Sequence, residues 1–406
     1  ALGLDPESAF TVDDETYGRF RHYARRGAEA RATWAERFEA YRAEFPEQAA
    51  DLDRALAREL TEDWAEELPS WEPGLALPTR QASSDMLNRL AERVPELIGG
   101  GADLATSSKT IIKQDKAFDG ASGAGRNLHF GVREHAMGAI ANGLSYHGGC
   151  RPFVSTFLAF SDYMRAPIRL AALDRLPVVA IWTHDSIGVG EDGPTHQPIE
   201  QVASLRLIPK LPVFRPADAN ETISAWLWTM QQDGPAAFIL TRQAVPVLPG
   251  TLELSREGVA RGAYVLADAE GGQPDAIVIA TGSEVQHAMS AREGLAEEGL
   301  RVRVVSMPCW ELFEQQQEAY RNQVLPCEVT TRVSIEADRP SRERNWIRST
   351  SQSTSCVRKG PKCVRRVLVR RTFPSQSKSS AWLKSMTKWY CCSHPTTASA
   401  CQPART

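Results

Sequence analysis

The stretch THDSIGVGEDGPTHQP, residues 183–198, gathers His184, Asp185, Glu191, Asp192 and His196 around glycines 188, 190 and 193. It is too polar and flexible to be core, and too rich in titratable groups for an idle linker. Three kinds of chemistry suit it: metal binding, a base that serves a nucleophile, or recognition of an anionic substrate. A metal site calls for closely spaced ligands such as H-E-x-x-H or C-x-x-C. Here the histidines stand twelve residues apart and no cysteine accompanies them. The apolar run LPVVAIWTH leads straight into His184, and in open parallel sheets ligands bind beyond the carboxyl ends of the strands. A polar substrate site is therefore favoured over a metal site or a solvated loop. The glycines let the backbone turn and bring Asp192 and His196 back towards His184.

Other candidates are scattered. In HFGVREHAMGAIANG, Glu134 opens a helical stretch, with Gly138 and Ala141 on the same face so that another layer can press against it. Two readings stand open: a carboxylate favoured by the helix dipole, or a carboxyl in a tight apolar junction with a raised pKa, able to donate a proton. In STFLAFSDYM, Phe157, Phe160 and Tyr163 recur by threes, an aromatic stripe that by itself reads as core. Arg80, Ser107 in GGGADLATSSK and Arg242 after AAFILTRQ are possible anion anchors, although each alone reads as a surface or capping residue.

These residues need a scaffold, and the chain predicts one. At 406 residues it has room for two or three domains, and 42% hydrophobic with 24% charged residues is ordinary for a soluble globular protein. No apolar run approaches the ~18 residues of a membrane span. The opening ALGLDPESAF lacks a basic segment followed by an apolar one, so no secretory signal and a cytoplasmic location are expected. Residues 1–75 are charged, with Phe20, Tyr23, Trp34, Phe38 and Tyr41 at helical spacing, and predict a helical arm and linker. Residues 76–250 alternate short apolar runs with helical stretches, which predicts an α/β domain: a parallel sheet with helices on both faces. Asp218 and Glu221 form a capping-box start to the helix ANETISAWLWTM. Residues 251–337 predict a second, smaller α/β domain. Its turn ATGSEV could cradle a phosphate, but a single glycine reads better as an ordinary tight turn.

After Ala337 the alternation stops. Residues 338–406 carry 15 Lys and Arg against 2 acidic residues, and five of the eight cysteines. With a total of −3, the preceding residues carry −16 against +13 in this irregular basic tail. Such a tail could be a nucleic-acid arm. The break is abrupt, follows an apparent strand and removes the acidic character at once, which favours translation in a shifted reading frame.

Taken together, THDSIGVGEDGPTHQPIEQ, FGVREHAMGAIANG, FVSTFLAFSDYMR, ELIGGGADLATS and FILTRQAVP resemble the transketolase family in order and spacing, over roughly residues 1–337. The resemblance implies a dimer that uses thiamine diphosphate and a divalent metal, Mg2+ or Ca2+. It also implies transfer of a two-carbon ketol unit from a ketose phosphate to an aldose phosphate. Residues 76–250 would then be the pyrimidine-binding domain and residue 251 would begin the C-terminal domain. Glu134 would hydrogen-bond the aminopyrimidine and Phe160 would stack on it. Phe157 and Tyr163 would line the pocket, with Asp103 and Leu104 flanking the cofactor. His184 and His196 would bind sugar oxygens, with His196 placed for proton transfer, and Asp192 would read a sugar hydroxyl. Arg80, Ser107 and Arg242 would hold the phosphate.

Two departures accompany the resemblance. The motif that binds metal and diphosphate is not found, so the N-terminal domain carrying it is expected to be absent, supplied by a separate subunit or lost from a truncated chain. The C-terminal domain is expected to be incomplete. The competing readings are a catalytically silent transketolase remnant and a nucleic-acid binder acting through the tail.

Overall fold

The structure is a computed structural model that describes residues 10–186, 189 and 192–337. The expected basic tail therefore lies outside the described residues, as do residues 187, 188, 190 and 191 of the opening motif. The described residues divide into two compact units that part between Leu60 and Thr61.

The first unit is a helical hairpin of α1 (Asp14–Glu44) and α2 (Pro46–Leu56). Asp13 caps α1 by accepting the Thr16 N–H at 2.7 Å, and Pro46 starts α2, where a missing N–H costs nothing. Arg42 donates to Asp53 across the hairpin at 2.9 Å. Of the five aromatic residues that predicted an amphipathic helix only Phe38 is buried, stacked on Trp34 at 5.0 Å. The helix is present, but Phe20, Tyr23, Trp34 and Tyr41 are exposed.

The second unit opens with β1 (Ala76–Leu77) and α3 (Thr79–Arg93), then β2 (Leu97–Gly101), α4 (Ala105–Ser108), β3 (Asn127–His129) and α5 (Glu134–His147). There follow β4 (Arg151–Phe157), α6 (Ser161–Asp174), β5 (Val179–Thr183), α7 (Gln201–Leu205), β6 (Val213–Phe214), α8 (Ala219–Met230), β7 (Ala236–Leu240) and β8 (Val245–Pro246). Six of these strands form one sheet in the order β3-β2-β4-β5-β7-β6, parallel throughout. Its central strands VAIWT and AAFIL are buried at every position, as expected where helices cover both faces. The short pair β1 and β8 runs antiparallel.

The remaining elements are α9 (Thr251–Ala260), β9 (Tyr264–Ala267), β10 (Ala276–Ala280), α10 (Val285–Glu297), β11 (Val302–Ser306), α11 (Trp310–Glu314), α12 (Glu318–Val324) and β12 (Arg332–Ile335). Four strands make a smaller sheet in the order β12-β10-β11-β9, with β9 antiparallel to β11. No helix among the described residues is long and apolar enough to cross a membrane.

Two buried polar networks join the sheets. In the first, the expected capping at the start of α8 is present in shifted form: Asp218 accepts the Glu221 N–H at 3.0 Å, and Glu221 accepts the N–H of Ala217, one residue before the N-cap, at 2.7 Å. Glu221 also accepts from the hydroxyls of Tyr264 and Ser306 at 2.7 and 2.5 Å, on β9 and β11. Burial, and then the neighbouring Asp218, raise the Glu221 pKa to about 7. The unfolded chain gives up this proton near the ordinary 4.5, whereas the folded chain keeps it until about 7. Stability from this group is thus full below the lower value and lost as pH rises through the upper one. Thermal melting from pH 4.5 to 7.5 will show wild type losing ground to Glu221→Gln, whose amide cannot ionise. Parallel curves would contradict this.

In the second network Arg215, fully buried, donates through Nε and Nη2 to Asp185 at 3.2 and 2.9 Å and through Nη1 to the Thr281 carbonyl at 3.1 Å and to Glu284. The turn ATGSEV is thus a tight turn as expected, and Arg215 occupies it. Gly282 sits at φ +63°, and a Cβ there would lie 2.8 Å from Arg215 side-chain atoms.

Candidate active site

The carboxyl ends of β2, β4, β5 and β7 align along one edge of the six-stranded sheet, with Gly101 beside Ser155, Phe157 beside Thr183 and Thr183 beside Leu240. Immediately beyond them come Asp103, the turn Leu158–Phe160, His184 and Arg242. Parallel pairing thus collects residues far apart in sequence into one row.

His184 is the centre of the row. It is buried and adopts φ +64°, a left-handed conformation that costs a non-glycine residue of order 1 kcal/mol or more. Asp103, at the end of β2, adopts φ +63°. The His184 ring lies 3.7 Å from that of Phe157, and its Nδ1 is 2.9 Å from the Thr183 hydroxyl. Burial first, then the cationic Arg80, lower its pKa to about 4; Arg242 and His196 act the same way and Asp192 opposes them. His184 is therefore neutral at pH 7 and offers one donor and one acceptor.

His196 sits on a short turn after Gly193, its Nδ1 2.9 Å from the Thr195 hydroxyl. Its ring meets Phe157 at 5.9 Å and Phe160 at 5.1 Å, both edge to face. The return of Asp192 and His196 towards His184, expected from the sequence, is present. The aromatic stripe, however, is not core. Phe157 is buried, but Phe160 is only half-buried and Tyr163 is 65% exposed, because the stripe runs out from the sheet edge along the start of α6. Phe157 and Phe160 stack at 6.0 Å, and Tyr163 continues the row at 6.2 Å.

Arg80 donates through Nη1 to the Ser107 carbonyl at 2.7 Å, while its buried Nε has no hydrogen-bond partner among the described residues. Burial, and then Arg242, lower its pKa, so two guanidinium groups share this end of the site. A threonine pair not anticipated from the sequence ties their two segments together. Thr79 and Thr241 exchange bonds, each backbone N–H donating to the other's hydroxyl at 2.9 and 2.8 Å. The dipeptide Thr-Arg occurs at both places, Thr79–Arg80 and Thr241–Arg242, which was the available signal.

Glu134 is the first residue of α5 and is buried. No described residue hydrogen-bonds its carboxylate. No described contact joins it to the histidine and arginine cluster either. The close packing expected behind it is present: a Cβ on Gly138 would lie 2.8 Å from Pro167 and 2.9 Å from Met164 of α6. Asp103 is exposed and Leu104 half-buried, and both precede α4.

Three family models match. Residues 76–247 match the pyrimidine binding domain of transketolase, and residues 262–360 match the transketolase-like C-terminal domain, running past Ala337. Residues 1–61 match the transketolase thiamine diphosphate binding domain, so the domain expected to be absent is represented by a small piece that includes the helical hairpin. The transketolase of Geobacillus stearothermophilus is 52% identical over 329 residues, 80% of this chain and 49% of that protein. The solved transketolase of Leishmania mexicana superposes with a TM-score of 0.76 at 42% identity, covering 83% of this chain and 49% of that one. A split-gene transketolase structure matches with a TM-score of 0.52 at 25% identity, covering 64% of this chain and 79% of that one. The chain belongs to the transketolase family, and it spans about half the length of the relatives it matches.

Proposed function

We propose that this chain supplies the pyrimidine-binding and sugar-phosphate-binding half of a thiamine-diphosphate-dependent ketol transferase. It would move a two-carbon unit from a ketose phosphate to an aldose phosphate once the rest of the diphosphate-binding domain is provided. The observation that carries the reading is the row at the sheet edge: a neutral His184, with His196 beside it, against a phenylalanine stack, and Arg80 and Arg242 at the cationic end.

The residues fit the pyrimidine end of the cofactor. The buried Glu134 carboxyl, which no described residue hydrogen-bonds, suits the aminopyrimidine, and the half-buried Phe160 ring suits stacking on it. Phe157 and Tyr163 would line that pocket, with Asp103 and Leu104 beside it. When bound, the cofactor supplies a nucleophilic carbon that carries the two-carbon unit. His184 and His196 would hydrogen-bond the sugar oxygens, His196 would move the donor hydroxyl proton, and Asp192 would read a hydroxyl. Arg80, Ser107 and Arg242 would take the phosphate, for which the free Arg80 Nε is a ready donor. The diphosphate and its Mg2+ or Ca2+ are a different matter. Among the described residues no three His, Cys, Asp or Glu gather to hold a metal, so those ligands are assigned to the remainder of the diphosphate-binding domain.

The exposed apolar side chains of Val132, just before α5, Ile140 on α5, and Leu170 and Leu173 on α6 support a homodimer that would cover them. That the related split-gene transketolase is an inactive β4 tetramer supports the need for a separate complementary subunit.

The test of the sugar-phosphate half is calorimetric titration of the full chain with xylulose 5-phosphate and with unphosphorylated xylulose. The phosphorylated sugar should bind more tightly, and Arg80→Ala should weaken it by about 10- to 100-fold while leaving xylulose unchanged, as expected for a lost charge-assisted bond of roughly 1.5–3 kcal/mol. Equal binding of the two sugars by wild type would remove the assignment.

A further inference from the structure

The site residues all belong to the domain built on the six-stranded sheet. One connection links the second domain to the centre of the row. Asp185 follows His184 directly, and its side chain is fully buried. Its Oδ2 accepts both Nε and Nη2 of Arg215. Arg215 follows β6 and is otherwise surrounded by the second domain. Its backbone N–H donates to the Pro308 carbonyl at 2.8 Å, and its carbonyl accepts the Gly282 N–H at 2.9 Å. Its Nη1 reaches the Thr281 carbonyl and Glu284, with Glu336 3.8 Å away. Glu336 is held in turn by Arg206 at 2.8 Å, and Glu284 accepts the Ala337 N–H at 3.1 Å.

The geometry points to Arg215 as a positioning residue, through which the second domain holds His184 in its strained, buried conformation by gripping Asp185. The catalytic importance of His184 in this statement rests on the proposed function; the grip itself does not. Two features carry the inference. His184 is in the left-handed region, which is uncommon for a buried non-glycine residue and costs of order 1 kcal/mol, and the residue beside it is fixed by two guanidinium donors that converge on one carboxylate oxygen. Gly282 shows that the second domain is shaped around that fork, since any side chain there would press on the guanidinium.

Released from the grip, the backbone at residue 184 would relax and the imidazole would move towards water and away from Arg80 and Arg242. The groups facing it are Arg80 from α3, Arg242 after β7, and Asp192 and His196 from its own loop. The test reads His184 itself, in the full chain, by NMR titration of the imidazole Cε1–H signals. There are eight histidines, and the His184 signal is assigned by its loss in His184→Gln. Two variants act from the second domain: Glu284→Gln removes one charge, and Gly282→Ala removes none but displaces Arg215.

In wild type His184 should titrate at about 4. In either variant its midpoint should rise by about one unit or more towards the ordinary histidine value, while the other histidines keep theirs. A folded variant that melts at lower temperature with the His184 midpoint unmoved would make Arg215 a stabilising residue only and overturn the inference. If one variant does not fold, the other decides on the same criterion. Since no turnover is read, failure of ketol transfer in other experiments leaves this result standing, and failure here leaves the proposed reaction intact.

Discussion

Glu134→Gln should reduce ketol transfer by about 10²- to 10⁴-fold in a reconstituted enzyme, the range associated with loss of a positioned proton donor or acceptor. The side chain is buried at the first residue of α5, and no described residue hydrogen-bonds it. An acid placed there without a structural partner is available to a ligand. Glutamine keeps the size and the burial, so folding should be unaffected and sugar-phosphate binding by Arg80 and Arg242 should persist. The signature is therefore a fall in kcat with little change in KM for the sugar, measured by steady-state kinetics with saturating cofactor. A variant that retains more than about a third of wild-type kcat would remove Glu134 from the reaction; general acid–base losses are normally far larger than that.

The second large effect is on stability. Arg215→Met should cost about 3–5 kcal/mol, because it strands Asp185 and Glu284 in the interior without their cation. Burial pushes the Asp185 carboxyl pKa up, and Arg215 opposes this; at Glu284 the attraction of Arg215 prevails over burial and holds the pKa down. Arg215 itself is kept charged by these neighbours against its own burial. The triple change Arg215→Met, Asp185→Asn and Glu284→Gln should recover most of the loss, since no unpaired charge remains. Urea unfolding of the single, double and triple variants measures this directly. A single-variant loss within about 0.5 kcal/mol, the ordinary range of surface substitutions, would show that the cluster does not lock the two sheets together.

The sheet was readable because its strands are short apolar runs separated by helical stretches. Strands β3 and β1 were not, being three and two residues long with little apolar pattern. The antiparallel sense of β9 was equally hidden, since direction depends on pairing rather than composition. At the site, His184, Asp192 and His196 could be placed together because one glycine-bearing loop carries them. The aromatic stripe misled as core because a three-residue spacing says that side chains share a face, not that the face is covered. Thr79, Thr241 and the Asp185–Arg215 pair escaped notice for a physical reason: each works through a residue more than a hundred or some thirty positions away. Only the fold supplies that proximity.

If this chain is one half of a two-part site, the other half must restore turnover. Ketol transfer from xylulose 5-phosphate to ribose 5-phosphate, with thiamine diphosphate and magnesium present, should be measured for the purified chain alone and after mixing with a separately expressed transketolase diphosphate-binding domain. Turnover is expected in the mixture and none in the chain alone. Turnover by the chain alone would contradict the assignment of the diphosphate and metal ligands to the other part. Silence of the mixture, with both components folded and associated, would contradict the claim that the site half described here is competent.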